Sequence, residues 1–276
     1  VQLSRRPVVR GPAPSSYDGR SSPGNTLARG RALARRGRDP DNRGDVKTLR
    51  DFYRWCIILV VRALTFIYCQ RYEVVGREHV PQGGGVIVVS NHLNNADPPM
   101  VARAVGRPVV FMAKYEMLKL PVVGFLFRAW GAFPVHRGEA DLAALRAASD
   151  VVRRGEVLMM FPEGTRSRTG GLGRGHPGTA LIALRTGAPV LPVAVTGTEA
   201  IRWPSFFLKP RSVRHVRVVI GEPFQLERGR RVDTDAVNRA TDGIMHRIAA
   251  LLPPQYRGEY ADTPPGEPAA ALRDEA

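Results

Sequence analysis

From about residue 72 the chain alternates short β-branched apolar runs with longer amphipathic stretches, and this alternation limits its possible folds more than any other feature. The strand candidates are residues 86–90, 108–112, 157–161, 190–195 and 216–220. Each is too short for a typical helix and most are rich in Val. Three helices are predicted among and after them. Residues 141–154 are halted by Gly155, residues 179–185 by Gly187, and residues 235–252 by Pro253-Pro254. Strands interleaved with helices imply an α/β fold, a sheet covered by helices. A chain of 276 residues, 43% of them hydrophobic, suits one such domain at residues 72–256, with flanking segments.

The flanks differ in character. Residues 1–45 are rich in Arg, Pro, Gly and Ser, show no apolar period and read as a disordered basic arm. No signal-peptide pattern is visible there. The first 50 residues hold twelve Lys/Arg against four Asp/Glu, half of the formal net charge of +16. That excess calls for an anionic partner: nucleic acid, an anionic membrane surface or a phosphorylated substrate. Residues 46–71 are apolar, but the unbroken run from Trp55 to Val61 ends at Arg62. It falls short of the roughly 20 residues a spanning helix needs. Trp55 and Tyr68 are of the types that favour the lipid–water boundary. The segment reads as a helix lying in the membrane interface; the alternatives are an amphipathic helix that merely covers the core and a tilted spanning helix. Residues 118–130 and 203–211 mix aromatic and basic groups in expected loops; either could be core, the second suits an exposed patch better, and with 46–71 they suggest one lipid-facing side. Residues 257–276 read as a loose acidic tail. Cys56 and Cys69, if on one helix, lie roughly 20 Å apart along it, which excludes a disulfide. No His-Glu-x-x-His or Cys-x-x-Cys pattern occurs, so no metal site is expected.

The chemistry gathers where strands end. Residues 83–90, Gly-Gly-Gly-Val-Ile-Val-Val-Ser, lead into Asn91-His92-Leu93-Asn94-Asn95-Ala96-Asp97-Pro98. A histidine can take a proton near neutral pH, and a carboxylate in reach sets its tautomer. On one continuous helix His92 and Asp97 would lie about 140° apart. They meet only if the chain bends, and Asn94, Asn95 and Pro98-Pro99 supply turn chemistry. The same residues also fit a capped surface histidine beside a turn aspartate. Past the strand at 157–161 comes Pro162-Glu163-Gly164-Thr165-Arg166-Ser167-Arg168. There a glycine, a hydroxyl and arginine forks suit an anion, with Glu163 placed to hold an arginine; a plain surface turn is the alternative. Lys114 stands at another strand end and Arg137 closes the stretch 131–137; a solvated helix-start lysine and a surface arginine ahead of the next helix are the alternatives. His136 and His176 are rival bases and read as satisfied or exposed. Gly173-x-Gly175-x-x-Gly178 matches a dinucleotide string, but no strand immediately precedes it. No Gly-x-Ser-x-Gly elbow occurs.

Together these residues resemble the 1-acylglycerol-3-phosphate O-acyltransferases. The carriers, in family order, are Asn91-His92-x4-Asp97, Ala113-Lys114-x-Glu116, Gly131-x-Phe133-x3-Arg137, Phe161-Pro162-Glu163-Gly164-Thr165-Arg166-Ser167 and Ala188-Pro189-Val190-x-Pro192-Val193. The resemblance covers roughly residues 72–225. It implies a single glycerol-3-phosphate-acyltransferase-like α/β domain with an N-terminal membrane-interface helical element. His92 would be general base on a glycerol hydroxyl, oriented by Asp97. Lys114, Arg137, Glu163, Gly164, Thr165 and Arg166 would hold the acceptor's phosphate. The donor would be acyl-CoA or acyl carrier protein and the acceptor lysophosphatidic acid, with no cofactor, no metal and no nucleic acid. The enzyme would sit on the cytoplasmic face of the cell membrane, peripheral or monotopic, in contact with membrane lipid. The same chemistry on glycerol 3-phosphate or another lysolipid is the near alternative. A non-catalytic membrane- or nucleic-acid-binding protein is the distant one. His136 and His176 stand where relatives often carry other residues, and the arginine-rich arm lies outside the family pattern.

Overall fold

The computed structural model describes residues 42–135, 141–201, 209–227 and 233–264. The basic arm up to residue 41, the aromatic stretch 202–208 and the chain beyond 264 lie outside the described residues.

Among the described residues seven strands form one sheet: β1 (Cys69–Val75), β2 (Val86–Ser90), β3 (Val109–Lys114), β4 (Phe133–Val135), β5 (Val157–Met160), β6 (Val190–Thr196) and β7 (Val213–Ile220). Their order is β1-β7-β6-β2-β5-β3-β4. All neighbours pair in parallel except β6 and β7. The β2 run is buried at all five positions. Val86 and Val88 face one side of the sheet with Val157, Met159 and Val193, while Ile87 and Val89 face the other with Leu158, Met160 and Ala194. Both faces are covered, which is why the central strands are apolar throughout rather than alternating.

One side is covered by α1 (Asn42–Tyr68), α2 (Asp97–Val105), α3 (Tyr115–Lys119) and α4 (Pro121–Trp130). The other carries α5 (Leu142–Arg153), α6 (Gly178–Thr186) and α7 (Thr234–Leu251). The carboxylates of Asp141 and Asp233 accept the N–H groups of Ala144 and Ala236 and so cap α5 and α7.

Several elements depart from expectation. β1 and β4 lack a long apolar run because each is an edge strand. Residues 118–130, expected as loop, fall in the end of α3 and in α4, with Leu120 extended between them. Pro121 opens α4 at a position where its missing N–H costs nothing, and Gly131 closes it at φ 99°. Phe127 and Trp130 pack edge-on against Phe111, so half of this aromatic stretch is core. Pro98 and Pro99, expected as turn, lie in the first turn of α2, where helices tolerate proline. The segment expected as a loose tail from 257 packs as far as the described chain reaches, with Arg257 and Thr263 buried.

α1 has two apolar faces. Ile58, Val61 and Thr65 point inward at helical spacing. On the opposite side Phe52, Trp55, Leu59 and Phe66 are 61%, 49%, 60% and 81% exposed. α1 packs on α4, whose Phe125 and Leu126 are exposed as well. Among the described residues, no helix is long and apolar enough to cross a membrane. Cys56 lies in α1 and Cys69 opens β1, and both are free thiols.

Candidate active site

The parallel strands β2 to β6 all end at one edge of the sheet. That edge is where α/β folds place their sites. His92 follows β2, Lys114 ends β3, Glu163 follows β5 and Thr198 follows β6. β4 also ends there, but His136 and Arg137 lie outside the described residues.

The bend between His92 and Asp97 closes on the aspartate's own carboxylate. Oδ2 of Asp97 accepts the N–H of Leu93 and that of Asn94, each at 2.6 Å, and lies 2.8 Å from His92 Nδ1. Oδ1 accepts the hydroxyl of Thr198 at 2.5 Å. Asn94 fixes the turn by accepting the Ala96 N–H and donating to Ile201 O. Asp97 is fully buried, and four donors are what make burying a carboxylate tolerable. An ionised carboxylate only accepts, so Nδ1 carries the proton and Nε2 keeps its lone pair. Among the described residues no hydrogen bond reaches Nε2, and the side chain is 11% exposed. The histidine can therefore accept one proton from outside, and Asp97 stabilises the imidazolium that results.

The loop after β5 holds the histidine's main chain. Glu163 Oε1 accepts the His92 N–H at 2.9 Å, and the Ser167 N–H donates to His92 O at 2.7 Å. The Phe161 ring stacks on the imidazole, centroids 4.2 Å apart. The other Glu163 oxygen accepts the Gly173 N–H at 2.9 Å. Asn91 ties the end of β2 to β6 through a two-way bond with the Val195 backbone.

Among the described residues the buried Glu163 carboxylate accepts two backbone N–H groups and no arginine, while Arg137 lies outside the described residues. Gly164 turns the loop at φ 66°, where a Cβ would lie 2.9 Å from the His176 ring. Thr165 and Arg166 are exposed beyond it. Lys114 is 47% exposed and lies 3.7 Å from Glu116. His176 is exposed and has no carboxylate partner among the described residues. The glycine string from 173 is a loop leading into α6, packed with Gly175 against Met245. No cluster of three or more His, Cys, Asp or Glu suited to a metal is found among the described residues. Sequence reasoning assigned no role to Thr198, Ser167 or Phe161. The latter two lie inside the quoted motif, whereas Thr198 is 101 residues from its partner and leaves no local signal.

Burial pushes the Glu163 carboxyl above its ordinary range, partly offset by the N–H groups of Gly173 and His92. The folded state therefore holds this proton more tightly than the unfolded chain. As pH rises from the ordinary Glu range through the raised value, this group's contribution to stability falls, then levels off. Urea titrations between pH 4 and pH 7 are expected to show a steeper decline for the parent chain than for Glu163→Gln. Equal slopes would mean that Glu163 titrates normally.

A family model for acyltransferases matches residues 71–196. Over that segment the chain is similar to the acyltransferase family. The segment contains the dyad and the whole Phe161–Ser167 loop, and ends two residues before Thr198. The chain is 33% identical over 138 residues to the 1-acyl-sn-glycerol-3-phosphate acyltransferase of Borreliella burgdorferi, covering 49% of this chain and 53% of that protein. It is 28% identical over 216 residues to the enzyme of that name from Pseudomonas aeruginosa, covering 75% and 80%. The chain spans about half the length of the Borreliella protein and of a chloroplastic relative from Brassica napus. Among solved structures, the 1-acyl-sn-glycerophosphate acyltransferase PlsC from Thermotoga maritima superposes with a TM-score of 0.54 at 27% identity, over 76% of this chain and 80% of that one. The α/β architecture is thus an acyltransferase fold.

Proposed function

We propose that this protein moves a fatty acyl chain from a thioester donor to the sn-2 hydroxyl of 1-acyl-sn-glycerol 3-phosphate, giving phosphatidic acid for phospholipid synthesis. The observation that carries the reading is the His92–Asp97 pair, bonded through Nδ1 with Nε2 free of described partners, beside an arginine-bearing turn. Nε2 takes the hydroxyl proton as the oxygen attacks the thioester carbonyl. The C–O bond forms, the C–S bond breaks, and the proton passes from the imidazolium to the departing sulfur. Backbone donors stabilise the tetrahedral oxyanion. No covalent acyl-enzyme, cofactor or metal enters this scheme.

Lys114, Arg137, Gly164, Thr165 and Arg166 receive the acceptor's phosphate, while Glu163 serves from beneath by holding His92. The exposed apolar residues of α1 and α4 rest in the membrane interface on its cytoplasmic side, where the lysolipid is found. The test is incorporation by purified protein over a panel of lysophosphatidic acid, glycerol 3-phosphate and neutral lysolipids, with acyl-CoA and acyl carrier protein as donors. Incorporation into lysophosphatidic acid is expected, and none into any glycerol phosphate overturns the reading. For the membrane contact, Leu59→Asp with Phe66→Asp is expected to weaken liposome binding by at least about 100-fold, since each buried side chain contributes roughly 1.5–3 kcal/mol. Unchanged co-sedimentation would place the contact elsewhere.

A further inference from the structure

Behind the site lies a segment that neither the family match nor the proposed chemistry uses. The residues after α7, 253–264, return across the loop that grips His92. The Leu172 N–H donates to Tyr256 O at 2.9 Å, and the Glu259 N–H donates to Leu172 O at 3.0 Å. Leu172 is 2% exposed and sits next to Gly173, whose N–H holds Glu163. Gly258 makes the approach possible. Its φ is +50°, and a Cβ there would lie 2.2 Å from Leu172 O. The same segment reaches the aspartate's support, because the Tyr256 hydroxyl donates to Glu199 Oε1 at 2.6 Å. Glu199 adjoins Thr198, which holds Asp97.

The segment is anchored at its far end. Arg257, 5% exposed, donates through Nε to Leu252 O at 2.9 Å and through Nη1 to Thr263 O. Thr263 Oγ1 in turn lies 2.9 Å from His246 Nδ1 on α7, and the His246 ring packs edge-on against Tyr260. One short stretch of chain therefore fastens α7 to both loops that hold the dyad.

We infer that residues 253–264 are a strap that sets the position of the His92 imidazole, with Tyr256 and Gly258 as positioning residues for the reaction proposed above, on which the kinetic part of this inference rests. A shift of the loop at Leu172 passes through Gly173 and Glu163 to the His92 N–H. Small displacements of a general base cost turnover rather than binding.

The test uses the full-length protein. In Gly258→Ala, amide exchange at His92, Ser167 and Gly173 is expected to quicken by about tenfold, with the amides of β2 and β5 unchanged. Turnover is expected to fall about tenfold with both KM values within about twofold. Tyr256→Phe removes one hydroxyl from the surface of the strap. It is expected to shift the His92 Nδ1–H proton resonance, assigned by its loss in His92→Ala, and to lower kcat about threefold at an unchanged melting temperature. Exchange that quickens evenly through the sheet overturns the inference. So do site amides and a His92 resonance that stay put in both variants. Should Gly258→Ala not fold, Tyr256→Phe decides alone. Exchange and resonance need no turnover, so a chain without acyl transfer counts against the proposed function and leaves the strap to be judged on these two readouts.

Discussion

Replacing His92 by alanine is expected to lower kcat by about 10³-fold or more while both KM values stay close to those of the parent. In the proposed reaction the glycerol hydroxyl is a poor nucleophile until its proton leaves, and Nε2 of His92 is the acceptor assigned to take it. The substitution spares the scaffold. The His92 backbone keeps its bonds to Glu163 and Ser167, and Asp97 keeps its three other donors. What is lost is the stacking on Phe161 and one hydrogen bond, so the cost in stability is of the order of 1–3 kcal/mol. Steady-state kinetics beside a thermal melt separate the two. A variant that folds and retains turnover would falsify the assignment of His92 as base, and with it the enzymatic reading of the dyad.

Two substitutions at Asp97 should part in stability while agreeing in activity. Asp97→Asn keeps an oxygen for the Leu93 and Asn94 N–H groups and can donate its amide to the Thr198 oxygen, so the turn survives. It removes the charge that stabilises the imidazolium, and a flipped amide would favour the wrong tautomer. A loss of about 10³–10⁴-fold in kcat is expected, with little change in melting temperature. Asp97→Ala instead strands two backbone N–H groups, a threonine hydroxyl and the imidazole N–H around a fully buried position. Breaking such a cluster from one side costs about 3–5 kcal/mol, or roughly 10 °C in a domain of this size. If alanine and asparagine melt alike, the carboxylate is not what holds the turn. If asparagine keeps full turnover, its charge plays no part in catalysis.

The legibility of the fold followed burial. β2, β3, β5 and β6 were readable because strands covered on both faces are written almost entirely in apolar residues, and β7 was readable through its mostly apolar second half, Val216–Ile220. The edge strands escaped notice: β1, Cys-Gln-Arg-Tyr-Glu-Val-Val, carries side chains that answer to solvent on one side. α2 escaped because two prolines look like a break, although the first helical turn has no N–H to lose. The aromatic stretch at 118–130 looked like a lipid-seeking loop because residue type alone does not separate Phe127 and Trp130, which face Phe111, from Phe125 and Leu126, which face outward.

Within the site the division is one of distance along the chain. By itself the sequence pointed to the dyad: His92 and Asp97 lie five residues apart, and the residues between them carry turn chemistry, although a capped surface histidine fitted the same pattern. It likewise indicated the arginine-bearing turn after β5 and the α/β class, both consequences of local pattern. Only the tertiary structure decided what holds the dyad in place. Glu163 lies 71 residues from the N–H it accepts, and Thr198 lies 101 residues from the carboxylate it supports. These groups meet because β5 and β6 flank β2 in parallel register, with Val89 opposite both Met160 and Pro192, so that three strand ends deliver their loops to one point. Glu163 illustrates the difference. Its place in the motif suggested a partner for arginine, but burial and two backbone donors make it the bracket beneath the histidine, because a carboxylate inside the fold is held by whichever N–H groups the sheet brings to it.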